Sequence, residues 1–553
     1  MTVGRPRAID LYSGVGGWSL GLRLAGIEVV ASYEHWGPAN ETNFKNNSHH
    51  AQTVDIRRLA LEDLPEDIDI VVGSPPCTQF SFSNRGGGGD IADGLQDIIR
   101  FLRIVDHLKP RVWAMENVPR VAKIIEAELA EGGLLEEFSH LGCITHTVDM
   151  AEYGLPQRRK RCIAGNFDVG LLEAQRGNAP ETTLGEVIGA LAADPVIDPL
   201  FGLTIPQTEL TEHDKEASLS VEEVRINRAS KTTHTVYNTM PFPDRLDRTV
   251  RTITATCTRV SRESIVIPVE GDAGTFRRLT LRERASLQGF PVTFQFYGAN
   301  YSQKLRMIGN AVPPAFTYLM GHVLQGHVLA NVEPLRLVAA GLRRPGPTPI
   351  ETPPDRVGGT YPASRRFRFA VPSLQLKSGV RFELRNDTTH DPVSWSMAFY
   401  FGTSKSILAI KLNTALNKAL VAQMSAELCA AVAEGLDAIG RFVTNADIAS
   451  MQTVWTHRGP GGMRPFMLLD EIDEVGALVR KAIEPHDDEA RRLVDVALLW
   501  EHGENWDRLP GVAKLQRNAS LILSGLLIGS RINDLLASRS HAVMPMIAAT
   551  AKK

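Results

Sequence analysis

Short apolar runs alternate with polar or helix-periodic stretches from residue 7 to about residue 167. Strands that alternate with helices pack into a doubly wound parallel sheet, in which functional groups gather at the carboxyl ends of the strands. We therefore predict an α/β fold with a Rossmann-like core for this part. The runs predicted as strands are Ala8–Tyr12, Glu28–Tyr33, Ile68–Gly73, Arg111–Met115 and Arg161–Gly165.

Beyond residue 167 the regular alternation of strand-like and helix-like segments is lost. Residues 170 to 250 are rich in Thr, Pro, Asn and Arg, which is typical of a loop-rich insert, and helix-like segments return at Thr280–Gln288 and from Pro314. A stretch dense in Pro and Gly between Arg343 and Gly359 is the clearest linker. We divide the chain into an α/β core (1–168), an insert (169–249), a segment that completes the core (250–342), a linker (343–364) and a further domain (365–553).

The last domain has its own pattern. Four strand-like runs, which begin near residues 366, 380, 395 and 406, precede helix-periodic segments. In the most regular of these, apolar residues recur at every fourth position, which indicates a helix. We predict an additional C-terminal α+β domain whose purpose and partner the sequence does not reveal. The apolar positions of that helix are Leu416, Leu420, Met424, Leu428 and Val432.

Composition and charge narrow the class of protein. Hydrophobic residues make up 43% and charged residues 22%, values near the average for globular domains, which argues against disorder. A net charge of −3 excludes a uniformly basic nucleic-acid coat, although a local basic cleft is compatible with it. The five cysteines lie far apart without a CxxC spacing, which argues against a disulfide framework or a zinc site.

These features also bear on location. We see no export signal, and no apolar run that approaches the roughly 20 residues needed to cross a bilayer. We therefore expect a cytoplasmic protein without a membrane anchor and without a metal site.

The first candidate site is the glycine-rich turn that follows the first predicted strand, in Asp10-Leu-Tyr-Ser-Gly-Val-Gly-Gly17. Glycines let the backbone approach a nucleoside cofactor closely. Glu34, about 20 residues on at the end of the next strand, is placed to bind a ribose hydroxyl. A tight strand-to-helix turn without a ligand is the alternative.

The second candidate is Cys77, in Gly73-Ser-Pro-Pro-Cys77 after another predicted strand. A lone cysteine is most often a small buried hydrophobe. Here two prolines before it and a polar, glycine-rich run after it place the cysteine in a loop. A nucleophilic role would require a thiolate, which nearby cations or strand and helix termini favour. Gly86–Gly89 in that run serves either as the hinge of a closing loop or as a flexible connector.

Two further motifs carry charge at predicted strand ends. Glu116 follows an apolar run in Trp113-Ala-Met-Glu116-Asn-Val-Pro, where desolvation would raise a carboxyl pKa, although an ordinary helix-capping role is the alternative. The run Gln157-Arg-Arg-Lys-Arg161 enters a buried strand, so some of its cations must point inwards.

Together these motifs carry a family resemblance over about residues 7 to 330. The order DLYSGVGG, SPPC, MENVP, GLPQRRKR, RLTLRERASLQGFP and QKLRMIGNAVPP closely resembles the DNA (cytosine-5) methyltransferases. The resemblance implies an S-adenosylmethionine-dependent enzyme with a class I methyltransferase core, which acts on duplex DNA. The insert 169–249 is then the target-recognition region.

The resemblance also assigns residues. It implies that Cys77 attacks cytosine C6, that Glu116 binds N3 and the exocyclic amine, and that Arg159 and Arg161 lie near the base. The target base would be flipped out of the duplex. The positions that would line the cofactor are Tyr12, Gly14, Val15, Gly17, Glu34, Asp55, Ile56, Pro76 and Asn310.

The chain departs from the family pattern at several positions, none of which removes a reacting group: Tyr12, His35, Thr78 and Ala311. The short recognition region is the larger departure. Its cations either reach phosphates and guanines or form a solvated loop. They are Arg225, Arg228, Lys231, Arg245 and Arg248.

Two alternative functions remain open. The chain could be an RNA cytosine methyltransferase, because some relatives with the same motifs modify transfer RNA, or a non-catalytic DNA-binding relative. The C-terminal domain is either a recognition or interaction module or a fused effector such as a nuclease. The resemblance is compatible with a restriction-modification or phage-defence context and with a companion restriction enzyme.

Overall fold

The computed structural model describes residues 4–76, 91–232, 239–376, 379–403, 406–459 and 461–550, the last twelve of these by their backbone alone. The chain divides into two compact units. The first comprises Met1–Asn227 and Pro241–Val357, and the second comprises Arg228–Met240 and Gly358–Lys553.

A seven-stranded sheet forms the centre of the first unit, in the order β3-β2-β1-β4-β5-β8-β6. The first five strands in this order run parallel, whereas β8 runs antiparallel to both β5 and β6. The fold is thus the predicted α/β core with one reversed strand. The strands are β1 (Arg7–Leu11), β2 (Glu28–Glu34), β3 (Ala51–Thr53), β4 (Ile70–Gly73), β5 (Val112–Asn117), β6 (Ile144–Asp149), β7 (Gln157–Arg158, outside this sheet) and β8 (Lys160–Gly165).

Helices cover this sheet, and their apolar faces form two cores. One core packs Ile9, Val71 and Trp113 against α3, and the other packs Ala8, Val72 and Ile163 against α1 and α10. The helices up to residue 173 are α1 (Gly17–Leu24), α2 (Gly37–Asn47), α3 (Ile91–Leu108), α4 (Arg120–Glu128) and α5 (Val169–Glu173).

The segments 169–249 and 250–342 share one hydrophobic core rather than forming two separate modules. Leu184, Val187 and Phe201 from the first pack in the same cluster as Phe290 and Phe294 from the second. The insert is also less loop-rich than the sequence suggests. The elements of this part are α6 (Leu184–Ala192), β9 (Val196–Ile197), β10 (Thr204–Ile205), α7 (Val221–Thr232), β11 (Val250–Arg251), β12 (Val266–Val269), β13 (Asp272–Arg278), α8 (Leu281–Leu287), α9 (Tyr301–Asn310), α10 (Pro314–Leu324) and α11 (Leu335–Val338).

The predicted linker is partly tied to the first unit, which extends to Val357. The carbonyl oxygens of Pro347 and Ile350 accept hydrogen bonds from Tyr297 and Lys304, and Asp355 pairs with Arg278 at 2.9 Å. Proline and glycine predict an irregular backbone, and the chain is irregular here. These contacts hold it against the first unit.

The second unit is an α+β domain, in which a four-stranded antiparallel sheet packs against helices. Gly525 lies under the Phe382 ring, where a Cβ atom would come within 2.3 Å of it, so the central helix α18 needs a glycine to approach the sheet. The elements are β14 (Arg368–Gln375), β15 (Arg381–Asp387), β16 (Ser394–Thr403), β17 (Ser406–Ile410), α12 (Thr414–Val421), α13 (Ala426–Asn445), α14 (Met451–Trp455), α15 (Pro465–Ile483), α16 (Asp487–His502), α17 (Val512–Gln516) and α18 (Ala519–Thr550).

Two predictions about the second unit were wrong. The helix that the four-residue spacing indicates over 416–432 is broken, because Ser425 caps a new helix through a 3.2 Å bond from the Leu428 N–H. Among the described helices, one window, Ala519–Ser538, is long and apolar enough to cross a membrane, and the sequence reading missed it. Since 72% of that window is buried inside the structure, it has the character of a core helix.

Candidate functional site

Two of the predicted catalytic residues, Glu116 and Arg161, lie together because one strand is reversed. The carboxyl ends of the parallel strands β4 and β5 lie at the same edge of the sheet. Strand β8 runs the other way, so its amino end lies at that edge as well, with Glu116 opposite Ile163 and Asn117 opposite Cys162. This reversal places Arg161 beside the end of β5.

Glu116 and Arg161 form a shielded ion pair at this edge. Arg161 Nε lies 2.7 Å from Glu116 Oε1, and their side chains are 16% and 8% exposed. Although the charges are in contact, no donor among the described residues meets hydrogen-bond geometry at that oxygen. The carboxylate is thus held by charge and retains capacity to accept a further bond.

The segment before Cys77 is fixed from two sides. Trp18 Nε1 donates to Ser74 Oγ at 3.1 Å, and Asn117 Nδ2 donates to the Pro75 carbonyl at 3.1 Å. Sequence reasoning missed both Trp18 and Asn117, although Asn117 stands next to the predicted Glu116. Cys77 itself and the Gly86–Gly89 hinge lie outside the described residues.

Arg159 joins distant segments of the first unit. Its guanidinium, 2% exposed, donates to the carbonyls of Gly309 and Ala311 at 3.2 and 3.0 Å. Gln157 also connects distant segments. Its Nε2 donates to Gln288 Oε1 at 2.7 Å, and its Oε1 accepts the Ile253 N–H at 2.6 Å. Two polar side chains of the cationic motif therefore tie residues 253–311 to the catalytic edge.

The glycine-rich turn is closed by Glu34. Glu34 Oε2 accepts the Gly14 N–H at 3.0 Å, and Oε1 accepts the Trp36 N–H at 2.8 Å. Tyr12 and Gly14 have positive φ angles of 54° and 51°, so the chain turns sharply here. His35 places Nδ1 3.0 Å from Glu34 Oε1.

This turn fits a nucleoside cofactor. A Cβ atom added at Gly14 would meet nothing within 4 Å, so the backbone there borders open space. Glu34 Oε2 accepts one backbone N–H and has a second lone pair for a hydroxyl donor, whereas Oε1 contacts both the Trp36 N–H and His35 Nδ1.

The other predicted cofactor residues differ in exposure and in their packing. Val15 is 2% exposed and Ile56 is 3% exposed, whereas Asp55, Pro76 and Asn310 are exposed. Gly17 has a packing role, because a Cβ atom on it would lie 2.0 Å from the Val312 carbonyl oxygen.

Arg57, which the sequence analysis did not single out, connects the segment after β3 to α3 through ion pairs. Arg57 makes a two-pronged ion pair with Asp97 at 2.8 and 2.7 Å and reaches Asp93 Oδ1 at 2.9 Å. The Tyr12 hydroxyl donates to Asp97 Oδ1 at 3.2 Å, and burial, reinforced by Asp97, raises the pKa of Tyr12.

Asp10 lies beneath the turn without any exposure. Its Oδ2 accepts two bonds from Ser19, from the N–H at 3.1 Å and from the hydroxyl at 2.6 Å. Burial raises the pKa of Asp10 to about 7, against the lowering effect of Ser19. Its role is therefore to brace the start of α1.

The recognition-region cations differ in their surroundings. Arg245 pairs with Asp247, Arg248 is exposed and Arg225 is half-buried. Lys231 is completely buried, so the prediction of a DNA-reaching or solvated side chain is wrong there. Arg228 and Lys231 also belong to the second unit.

Comparison with known proteins places these features in context. The family model "C-5 cytosine-specific DNA methylase" matches residues 7–325. Type II methyltransferase M.HindV of Haemophilus influenzae is 28% identical over 320 residues, which cover 56% of this chain and 92% of the relative. Type II methyltransferase M.AplI of Arthrospira platensis is 31% identical over 315 residues, which cover 55% of this chain and 81% of the relative.

Among solved structures, the Entamoeba histolytica methyltransferase EhMeth aligns at 16% identity. The alignment covers 58% of this chain and 98% of that one, with a TM-score of 0.42. The family model ends at residue 325, before Gly358, where the larger segment of the second unit begins.

Proposed function

Since the chain belongs to the C-5 cytosine-specific DNA methylase family, we propose that its first unit methylates C5 of a cytosine flipped out of duplex DNA, through a covalent adduct with Cys77. The enzyme is a DNA cytosine-5 methyltransferase that uses S-adenosylmethionine. The observation that carries the covalent mechanism is the Glu116–Arg161 pair, which lies at the edge where the Cys77 segment leaves β4.

The reaction needs a nucleophile because cytosine C5 is a poor carbon nucleophile. When bound, S-adenosylmethionine supplies an electrophilic methyl group on a sulfonium centre. The Cys77 thiolate adds to C6, and the new sulfur–carbon bond shifts electron density to C5, which then takes the methyl group. Loss of the C5 proton lets the thiolate leave and restores the aromatic ring.

Glu116 acts on the opposite side of the ring. Glu116 protonates or hydrogen-bonds N3 and so offsets the negative charge that develops during addition, and its other oxygen accepts from the exocyclic amine. Arg161 holds the carboxyl group at the strand end. Asn117 and Trp18 hold the segment that leads to Cys77.

Glu34 and the Gly14 turn would hold the nucleoside part of the cofactor. The second lone pair of Glu34 Oε2 suits a ribose hydroxyl, and the exposed backbone of the turn permits close approach. Asp55, Ile56, Pro76 and Asn310 would line the remainder. Arg159 acts as a positioning residue, because its contacts join the segments that enclose the site.

The relatives also support a proposal about the cellular setting. The type II methyltransferases among them suit a role in restriction-modification or self-protection, and a companion restriction enzyme would complete such a system. We place the reaction in the cytoplasm, where the chromosome and the cofactor are available.

The decisive experiment measures transfer of tritium from methyl-labelled S-adenosylmethionine to unmethylated genomic DNA, beside Cys77→Ala. We expect label in DNA with the wild type only, and a covalent complex with 5-fluorocytosine duplex. Sequencing for 5-methylcytosine then reveals the target site. Label in bulk tRNA but not in DNA would favour the RNA alternative, and cofactor binding without any transfer would favour the non-catalytic one.

A further inference from the structure

The second unit has a strongly uneven charge distribution. Between residues 365 and 418 the chain carries nine Lys and Arg against three Asp and Glu. Between residues 426 and 550 it carries twelve against seventeen. The sheet-forming part is therefore basic and the helical part acidic, although the net charge of the whole chain is −3.

The register of the sheet places the basic side chains on one face. Side chains alternate along each strand, and the inner positions Phe382, Leu384 and Phe399 are buried. The outer positions pair Arg368 with Arg385 and Arg381 with Tyr400 across neighbouring strands. Arg381 is buried, whereas Arg368 and Arg385 are exposed. Small residues fill the outer positions around them: Ala370, Ser396, Ala398 and Ala409.

Tyr400 organises these arginines. Arg381 and Arg368 lie 4.8 and 5.4 Å from the centre of its ring, and its hydroxyl accepts from Arg385 Nη1 at 2.8 Å. Glu383 neutralises part of this charge, through a buried pair with Arg381 and a 2.6 Å contact with Arg368. The Arg368 side chain remains 56% exposed, and Arg385 is exposed.

Arg366 extends the same face. The Phe367 N–H donates to Asn386 Oδ1 at 2.6 Å and the Phe367 carbonyl accepts the Asn386 N–H, so the ladder continues past the end of β14. Arg366 therefore shares the outer side with Arg368, and it is exposed. The acidic helices lie against the inner face through α18.

We propose that the outer face of the β14–β17 sheet, with Arg366, Arg368 and Arg385, is a second DNA-binding surface that contacts phosphates of the duplex substrate. Planar guanidinium groups are suited to phosphate oxygens, and phosphate contacts add affinity without reading sequence. The occupant is duplex DNA because DNA is the substrate of this enzyme family, so the inference rests on the proposed function. The acidic helical layer would repel the same polyanion and so orient it.

The test uses the full-length chain and a fluorescein-labelled, unmethylated duplex in anisotropy titrations at several salt concentrations. The sheet variant is Arg366→Gln/Arg368→Gln/Arg385→Gln. The matched control is Arg441→Gln/Arg492→Gln/Arg508→Gln, which removes three exposed arginines from the helical part. Each lost phosphate contact should reduce the magnitude of the slope of log K against log salt concentration by about 0.9. We therefore expect the slope of the sheet variant to be smaller in magnitude by about 2 to 3, and its affinity for the duplex to be at least about tenfold lower.

Methyl transfer provides a second readout. We expect the sheet variant to raise KM for DNA and leave kcat at saturating DNA unchanged, and the control to match the wild type in both. A double variant, Arg366→Gln/Arg385→Gln, leaves the ion pairs of Glu383 intact. We expect it to raise KM for DNA by a smaller factor, which would show that the effect does not come from a folding defect.

Equal affinities and salt slopes for sheet and control variants would overturn the proposal. Selective loss of binding to tRNA, with duplex binding intact, would overturn it in favour of an RNA surface. If the wild type binds duplex DNA but transfers no methyl group, the proposed function is wrong. The comparison of duplex binding between the sheet and control variants still tests the proposed second DNA-binding surface.

Discussion

The Asn117 side-chain amide donates to the carbonyl oxygen of Pro75 at 3.1 Å and so ties the end of β5 to the end of β4. Its Oδ1 accepts the N–H of Val118 at 2.8 Å, which leaves the amide only one orientation. Glu116 and the two prolines before Cys77 are therefore joined by one buried side chain. Asn117 therefore fixes Pro75, in the segment that leads to Cys77, relative to the end of β5 that carries Glu116.

Replacing Asn117 should damage catalysis more than binding. Asn117→Ala removes the bond to Pro75, and a displacement of about 1 Å at a reacting group costs up to about 100-fold in rate. We expect kcat to fall by about 10- to 100-fold while the Kd for S-adenosylmethionine stays within about twofold. Steady-state kinetics and calorimetry measure the two quantities. An unchanged kcat would show that the loop is placed by other contacts.

Glu116→Gln tests the charge at the strand end. The amide N–H can hydrogen-bond N3 but cannot transfer a proton to it, and the substitution leaves the Arg161 guanidinium without its carboxylate partner. We expect kcat to fall by about 100- to 1,000-fold, with duplex affinity preserved. The rate of adduct formation with 5-fluorocytosine duplex should fall in parallel. Glu152→Gln, at an exposed ion pair with Arg176, serves as control.

Much of the first unit could be predicted from its sequence. The strand positions followed from the apolar runs, since a strand buried on both faces must be apolar throughout. The reversal of β8 could not be predicted, because strand direction depends on tertiary pairing and leaves no mark in the run Cys162–Gly165. That reversal is what brings Arg161 to Glu116.

Most of the site residues that the sequence did not predict act through polar contacts with residues distant in sequence. Nothing local distinguishes Asn117 or Arg57 from solvated residues, because their partners lie 40 or more positions away in sequence. The break at Ser425 was missed for a similar reason. Its cap competes with helix continuation, and a 2.8 Å bond to Glu489 fixes the serine in place.

Arg57 should affect cofactor affinity through its clamp. Arg57→Gln breaks the paired contacts with Asp97 and Asp93, which join the Ile56 segment to α3 and, through Asp97, to Tyr12. We expect the Kd for S-adenosylmethionine to rise by about 3- to 10-fold, equivalent to about 1 kcal/mol. Calorimetric titration measures this rise.

The matched control for that clamp is Arg58→Gln. The Arg58 side chain is 87% exposed, and its contact with Asp55 is a longer 3.5 Å. It should therefore bind the cofactor like the wild type. If both variants weaken binding equally, general surface charge rather than the clamp determines the affinity.

The buried Asp10 should make stability depend on pH. Its pKa rises from 3.8 in the unfolded chain to about 7 in the folded protein. The folded state thus holds a proton that the unfolded state has lost between these values. Stability from this group is fully present below pH 3.8 and is lost as pH rises towards 7, at about 1 kcal/mol per pH unit.

Asp10→Asn removes the titration and retains an oxygen that can accept both bonds from Ser19. Urea unfolding between pH 5 and pH 8 should therefore show the wild type losing stability relative to Asp10→Asn up to about pH 7, with a constant difference above it. Curves that run parallel over the whole range would mean that Asp10 is ionised throughout. In that case the two bonds from Ser19 outweigh the cost of burying the charge.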